Sequence, residues 1–162
     1  MPDSRSARRR IGVGVISDTH GLVRPEALAA LAGSDLILHA GDIGSAEVLA
    51  ALGAIAPVTA VRGNNDRDAW ADALPETESI EIGGVRIYLL HDLKTLAIDP
   101  KAAGISVVIS GHSHRPGKEL RDGVLYFNPG SAGPRRFRLP IAVGRLTVER
   151  GAVHSELVMI DG

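Results

Sequence analysis

Five polar clusters punctuate the chain in order: Asp18-Thr19-His20-Gly21, Gly41-Asp42, Gly63-Asn64-Asn65-Asp66, His91, and Gly111-His112-Ser113-His114. Each follows directly on an apolar run. Imidazole, carboxylate and amide oxygen together suit Mn, Fe, Zn, Ni or Co, and a chain without cysteine has no thiolate with which to select softer metals. Four of the six histidines lie inside these clusters. One histidine beside a strand is ordinarily structural, but four of them interleaved with Asp18, Asp42 and Asn64 form a pattern that metal binding explains and core packing does not.

The rest of the chain sets the frame for that chemistry. At 162 residues it has the size of one domain and can bury roughly 70% of its unfolded surface, so it needs no disulfide or structural metal to fold. The first ten residues hold four arginines and one aspartate, and the net charge of -1 for the whole chain therefore leaves about -4 on residues 11–162. Residues 1–10 read as a flexible basic leader and residues 11–162 as a single domain. An acidic body is poorly suited to neutralising many phosphates, so no stable nucleic-acid partner is expected. The absence of cysteine fits a reducing compartment, and no stretch nears the roughly 20 apolar residues of a membrane span. The apolar run behind the leader is short and broken by glycine, unlike a signal peptide. A cytoplasmic protein is expected, and a homo-oligomer is compatible with the sequence.

The first half alternates strand and helix: strand 11–17, helix 25–32 opening on a proline, strand 35–40, helix 45–55, strand 58–61. Strands with little polar alternation are covered on both faces, as in a parallel sheet joined by crossover helices. The second half reads as hairpins: 78–82 with 85–90 about Gly83-Gly84, 119–121 with 124–127 about Asp122-Gly123, and 141–149 with 152–160 about Arg150-Gly151. The fold class is α/β with a β-rich finish. In open α/β sheets the ligand crevice lies beyond the carboxyl ends of the strands, which is where these clusters fall, the last of them after a strand at 106–110.

The order D-x-H, G-D, G-N-x-D, H, G-H-x-H resembles the calcineurin-like metallophosphoesterase superfamily. The short chain, with Asn128-Pro129-Gly130-Ser131 near its end, is similar to the small YfcE-type phosphodiesterase branch of bacteria and archaea. The resemblance covers roughly residues 11–160. It implies a four-layer α-β-β-α sandwich, two mixed sheets face to face with helices outside, and a centre of two divalent ions, Mn foremost among them, at the sheet edge. It places Asp18, His20 and His114 on one ion, Asn64, His91 and His112 on the other, and Asp42 between them. Asp66 would accept a hydrogen bond from the outer N–H of a ligating imidazole.

The implied activity is hydrolysis of a small phosphate ester, diester foremost, by direct attack of a hydroxide bridging the two ions, with Asp42, Asn64, Asn65 and His91 at the reacting centre. Two carboxylates and one hydroxide against two divalent cations leave about +1, which suits an anionic ester. The chain departs from the superfamily in two places. Asn65 stands where many members carry a histidine that protonates the leaving group, and an asparagine cannot do so near neutral pH. Asp92 stands where the branch usually has glycine, and reads as a turn residue or the N-cap of a short helix.

Other features have two readings. Asn128 to Ser131 either offers N–H groups and a hydroxyl to the site or simply forms a turn. Arg135, Arg136 and Arg138 either grip a substrate phosphate or lie solvated on a loop. His39 reads as a packed residue behind the site. Two other functions stand beside the hydrolase: a non-catalytic interaction scaffold on the same fold, as in a retromer subunit, and a nuclease, which the acidic body disfavours.

Overall fold

The computed structural model describes residues 10–160. The basic leader falls outside the described residues except for Arg10, whose Nε donates to Glu149 Oε2 at 2.9 Å. Strands β1 (Ile11–Ile16), β2 (Leu36–His39) and β3 (Val58–Ala60) run parallel, linked through helices α1 (Pro25–Leu31) and α2 (Ala46–Gly53). The closing hairpin, β9 (Ile141–Glu149) and β10 (Ala152–Ile160), returns to pair antiparallel with β1, giving the order β10-β9-β1-β2-β3. A second sheet contains β4 (Thr77–Ile82), β5 (Val85–Leu90), β6 (Val107–Ile109), β7 (Gly117–Arg121) and β8 (Val124–Asn128), in the order β4-β5-β6-β8-β7. Both sheets are mixed, as expected.

Side-chain alternation decides what each face touches. Val13 and Val15 of β1 point inward with Leu38 and Ala40, against Ile87, Leu89, Val107, Ile109 and Phe127 of the second sheet. Ile16 and Ile37 point outward against Leu31 of α1 and Val48 and Leu52 of α2. Two covered faces explain the unbroken apolar runs of β1 and β2. Edge strand β4 alternates instead, with Thr77, Ser79 and Glu81 exposed.

Helical cover is unequal. A single turn, α3 (Ala69–Asp72), which the sequence pattern did not separate from its polar surroundings, adds Trp70 to the first sheet's outer cluster. Outside the second sheet, among the described residues, Leu90, Ile105, Val108 and Val124 are capped by a 3-10 turn, Leu93–Thr95, and an irregular segment rather than an α-helix. Asp99-Pro100 and Gly104 interrupt that segment, and a residue before proline is driven away from helical backbone.

Phe127 joins the two sheets: its ring lies so close to Gly144 of β9 that a Cβ there would meet the ring edge. The side chain is 1% exposed. Phe127→Ala is expected to cost about 3–5 kcal/mol through lost burial and the cavity left between the sheets. Urea denaturation measures this, and a loss below about 1 kcal/mol would contradict the packing described.

Candidate metal centre

The carboxyl ends of β1, β2, β5 and β6 meet at one edge, and their loops are bonded to one another. Asp18 N–H donates to Gly41 O at 3.0 Å, His20 N–H to Asp42 O at 2.9 Å and Gly21 N–H to Ile43 O at 2.7 Å. Gly111 N–H donates to His91 O at 2.9 Å, which ties the two loops of the second sheet together. Asp18, His20, Asp42, His112 and His114 all have positive φ, between 48° and 70°. Left-handed backbone is uncommon outside glycine and sits at about 1–3 kcal/mol of strain per residue, held only where the surroundings fix it. Five candidate ligands share that strain in one place.

Two glycines permit the close approach. A Cβ on Gly63 would overlap the Asp42 amide and Oδ1, and one on Gly111 would overlap Ser17 Oγ and come within 2.6 Å of Asp18 Oδ2. Asp18 is thereby bonded through one oxygen: Oδ2 accepts from Ser17 Oγ at 2.7 Å and from His112 N–H at 3.0 Å. Among the described residues, its Oδ1 has no hydrogen-bond donor, and neither His20 Nε2 nor His114 Nδ1 has a hydrogen-bond partner. Around Asp18 Oδ1 stand His114 Nε2 at 3.4 Å and His20 and His91 Nε2, each at 3.9 Å. Asp42 is likewise anchored by a backbone N–H through one oxygen. Oδ1 accepts Asn65 N–H at 2.9 Å, while Oδ2 faces His91 Nε2 at 3.2 Å and His20 Nε2 at 3.8 Å.

Two groups result, Asp18–His20–His114 and Asp42–His91–His112, each with its donor atoms within 4.8 Å of one another. Two donors each about 2.1 Å from one ion stand about 3.0–3.4 Å apart, from octahedral to tetrahedral geometry. His91 Nε2 to Asp42 Oδ2 at 3.2 Å, His112 Nδ1 to His91 Nε2 at 3.3 Å and His114 Nε2 to Asp18 Oδ1 at 3.4 Å match that spacing. Donor atoms converging at ligand spacing, with Asp18 Oδ1 and His20 Nε2 among them buried and without a hydrogen bond, fit divalent ions. Of the seven expected ligands, six are gathered in the two groups; Asn64 is exposed between Gly63 and Asn65, at the rim beside Asp42.

The electrostatics follow from the same contacts. Burial would raise the Asp42 carboxyl, but His91, the Asn65 amide and His20 outweigh it and hold the group at about 2. Asp18 is also lowered, its burial outweighed by His114, the Ser17 hydroxyl and His91. Burial lowers His20, opposed by Asp42 and Asp18 and aided by Arg136, so that arginine's charge reaches the site. His91 is raised, since Asp42 and Asp18 overcome its burial. Its Nδ1 donates to Ala40 O at 2.8 Å, which leaves Nε2 aimed at the two carboxylates.

Some residues hold different posts from those expected. Among the described residues no imidazole donates to Asp66: its carboxylate accepts Ile43, Gly44 and Gly63 N–H at 3.0–3.1 Å and clamps the 41–44 loop to the 63–66 loop. Backbone amides outcompete the imidazole because the turn points three of them at one carboxylate. Asn65 Nδ2 donates to Asp42 Oδ2 at 3.3 Å, so the amide is occupied in orienting Asp42. Ser131 Oγ donates to Asp18 O at 3.0 Å, and Asn128 Nδ2 to Gly111 O at 3.1 Å, which settles that segment as a loop support. Arg135 Nη1 donates to Leu139 O at 3.2 Å, within its own loop. Asp92 caps the 3-10 turn, accepting Lys94 N–H at 3.0 Å. Spacing alone gave no sign of a cleft of about 760 Å³ beside His112, lined by Lys94, Lys118, Arg121 and Tyr126.

The profile of the calcineurin-like phosphoesterase superfamily domain matches residues 11–151. The chain belongs to the calcineurin-like phosphoesterase superfamily. A probable metallophosphoesterase from Methanothermobacter thermautotrophicus is 38% identical, over 90% of this chain and 91% of its own length. Among solved structures, an archaeal phosphodiesterase shares the fold with a TM-score of 0.75 at 24% identity, over 91% of this chain and all of that one. Vps29 from Entamoeba histolytica, solved with zinc, is 27% identical with a TM-score of 0.69, over 93% of this chain and all of that one. This metallophosphoesterase therefore shares its architecture with both a phosphodiesterase and a Vps29 that binds zinc. No helix among its described residues is long and apolar enough to cross a membrane.

Behind the metal-ligand groups lies a relay with a fixed proton. Gly41 N–H donates to His39 Nδ1 at 3.0 Å, so Nε2 carries the hydrogen and donates to Thr19 Oγ1 at 3.0 Å, and Thr19 in turn donates to Ile43 O at 2.8 Å. His39 is packed, as expected, and neutral: burial, only partly opposed by Asp18 and Asp66, takes it down to about 4. The folded state therefore takes up a proton less readily than the unfolded chain. The stability of the neutral ring is present in full above the unfolded value of 6.5 and falls away as the pH drops toward 4. Metal-free protein should lose about 2 kcal/mol between pH 7 and pH 5 that a His39→Gln variant does not lose. Parallel pH profiles of the two proteins in urea denaturation would refute that assignment.

Proposed function

We propose that this metallophosphoesterase hydrolyses small phosphate esters, diesters foremost, with two divalent ions held by Asp18, His20 and His114 on one side and His91, His112 and Asn64 on the other, and with Asp42 shared. The supporting observation is the position of Asp42 Oδ2, which faces His91 of one group and His20 of the other. Ions bound there would supply Lewis-acid chemistry, lowering the pKa of water and neutralising charge on phosphorus. The chain's own residues do the rest. Asn65 and the 63–66 turn fix Asp42, Ala40 O orients His91, and Arg136 offers a positive charge to an ester beside His20. Attack is direct, with no covalent enzyme intermediate. Mn is the first candidate, with Fe, Zn, Ni and Co also suited to these donors, and the cysteine-free chain fits a cytoplasmic setting.

The scaffold reading draws support from the likeness to Vps29, and turnover separates the two. A screen of phosphate mono- and diesters with each metal is expected to give hydrolysis with up to two ions per chain by elemental analysis. Asp42→Ala should fall to background even in excess metal, whereas Arg136→Ala should mainly raise KM. Wild-type rates in Asp42→Ala, or an inactive protein carrying two ions, would overturn the hydrolase reading.

Asn65 sets a second expectation. Its amide is held on Asp42 and supplies no proton, so a departing alkoxide lacks the roughly 10²- to 10⁴-fold help of a general acid. Aryl diesters should be cleaved much faster than alkyl ones, with rates that fall steeply as the leaving-group pKa rises. Asn65→His is expected to flatten that slope. A shallow slope in the wild-type enzyme would mean that another group protonates the leaving oxygen.

A further inference from the structure

The two nitrogens of His112 face opposite ways. Nδ1 lies 3.3 Å from His91 Nε2, inside the Asp42–His91–His112 group, and Nε2 lies 3.8 Å from Asp92 Oδ2. Asp92 is itself held in place. Oδ1 accepts Lys94 N–H at 3.0 Å, and its carbonyl accepts Thr95 N–H at 2.9 Å and the Thr95 hydroxyl at 2.7 Å. A cap on the 3-10 turn uses only one carboxylate oxygen, and a serine, threonine or asparagine would serve as well. Burial does not call for the second oxygen either, since the side chains of His112 and Asp92 are 45% and 30% exposed. What remains is a carboxylate oxygen, fixed by the turn, facing the outer nitrogen of a ring whose inner nitrogen faces the centre.

We propose that Asp92 is a positioning residue for the second ion, holding His112 in the tautomer with hydrogen on Nε2 so that the Nδ1 lone pair points at the metal. This rests on the two-metal reading above. An imidazole that coordinates through one nitrogen commonly donates its other N–H to a carboxylate or carbonyl, which fixes the ring and strengthens it as a ligand. His91 uses Ala40 O in this way, with Nδ1–H outward and Nε2 inward. His112 is the mirror case, with Nε2–H outward and Nδ1 inward. The 3.8 Å separation is within ion-pair range. Asp92 does not touch the substrate in this scheme; it acts through His112 alone.

The test compares wild type with Asp92→Asn, which keeps the cap on Lys94 but presents an uncharged amide to His112. Zinc is titrated into metal-free protein against a chromophoric chelator. Two affinities are expected in the wild type. In Asp92→Asn one of them should weaken by about 10- to 100-fold while the other, and the thermal unfolding of the metal-free protein, stay as they were. Imidazole nitrogen NMR of the zinc-loaded wild type should show His112 bound through Nδ1 with hydrogen on Nε2. That measurement stands even if the variant folds poorly. Coordination of His112 through Nε2, or two unchanged zinc affinities in Asp92→Asn, would overturn the role given to Asp92. A wild-type protein that never holds more than one zinc ion overturns the two-metal reading and this inference with it.

Discussion

A carboxylate taken out of water remains charged only if something replaces the water, and Asp18 is wholly buried while its proton affinity is lowered. The structure satisfies half of the group. Ser17 Oγ and the His112 amide occupy one oxygen and leave the other facing imidazole nitrogens. Asp42 repeats the division in part, with Oδ1 anchored by the Asn65 backbone N–H and Oδ2 turned toward His91 and His20 while it accepts Asn65 Nδ2. One oxygen tied to a backbone N–H and one turned toward imidazole nitrogens is the condition from which the other local features follow. Gly63 and Gly111 lack a Cβ because the anchored carboxylates lie against them.

That condition links the site to the architecture. Asp18, His20 and Asp42 come from the first sheet, while His91, His112 and His114 come from the second, so neither sheet alone holds a complete ligand group. Packing between the inner faces, with Phe127 set against Gly144, brings the two loop systems into register. Interiors at crystal-like density transmit small displacements rather than absorb them. Errors in sheet packing should therefore appear at the centre as misplaced donors, and the left-handed ligand residues, already strained, leave little latitude for local correction.

Much of this was legible in the sequence, and the exceptions have physical reasons. Strands β5, β9 and β10 begin and end where the apolar alternation and the Gly83-Gly84 and Arg150-Gly151 turns place them, because a two-fold period with turn residues at its ends is a local signal. The ligand-bearing loops were legible because a metal site needs donor types that a core avoids. The partner of each donor was not. Asp66 reads as a carboxylate for an imidazole, yet which hydrogen reaches it depends on backbone amides that a turn aims, and residue type does not encode direction. The return of β9 to pair with β1, more than a hundred residues earlier, has no local signature either. The helical layer that the family resemblance implies outside the second sheet gives way at Asp99-Pro100 and Gly104, where the residue before proline is driven away from helical backbone.

The choice between hydrolase and scaffold turns on what the buried, unpartnered atoms do for the protein. In a chain that acts only through its surface, Asp18 Oδ1, His20 Nε2 and His114 Nδ1 would be a standing loss of stability, because apolar groups of similar volume fill such positions at no electrostatic penalty. Loop strain at Asp42 and His112 would be a second loss with no return. A structural ion would offset both, but such sites are usually closed by their protein ligands. Here His112 remains half exposed and the cleft of about 760 Å³ opens directly beside it. A centre that concentrates charge and strain and then leaves one side open to solvent is suited to a ligand that comes and goes. That openness is the physical ground for preferring turnover to a static contact.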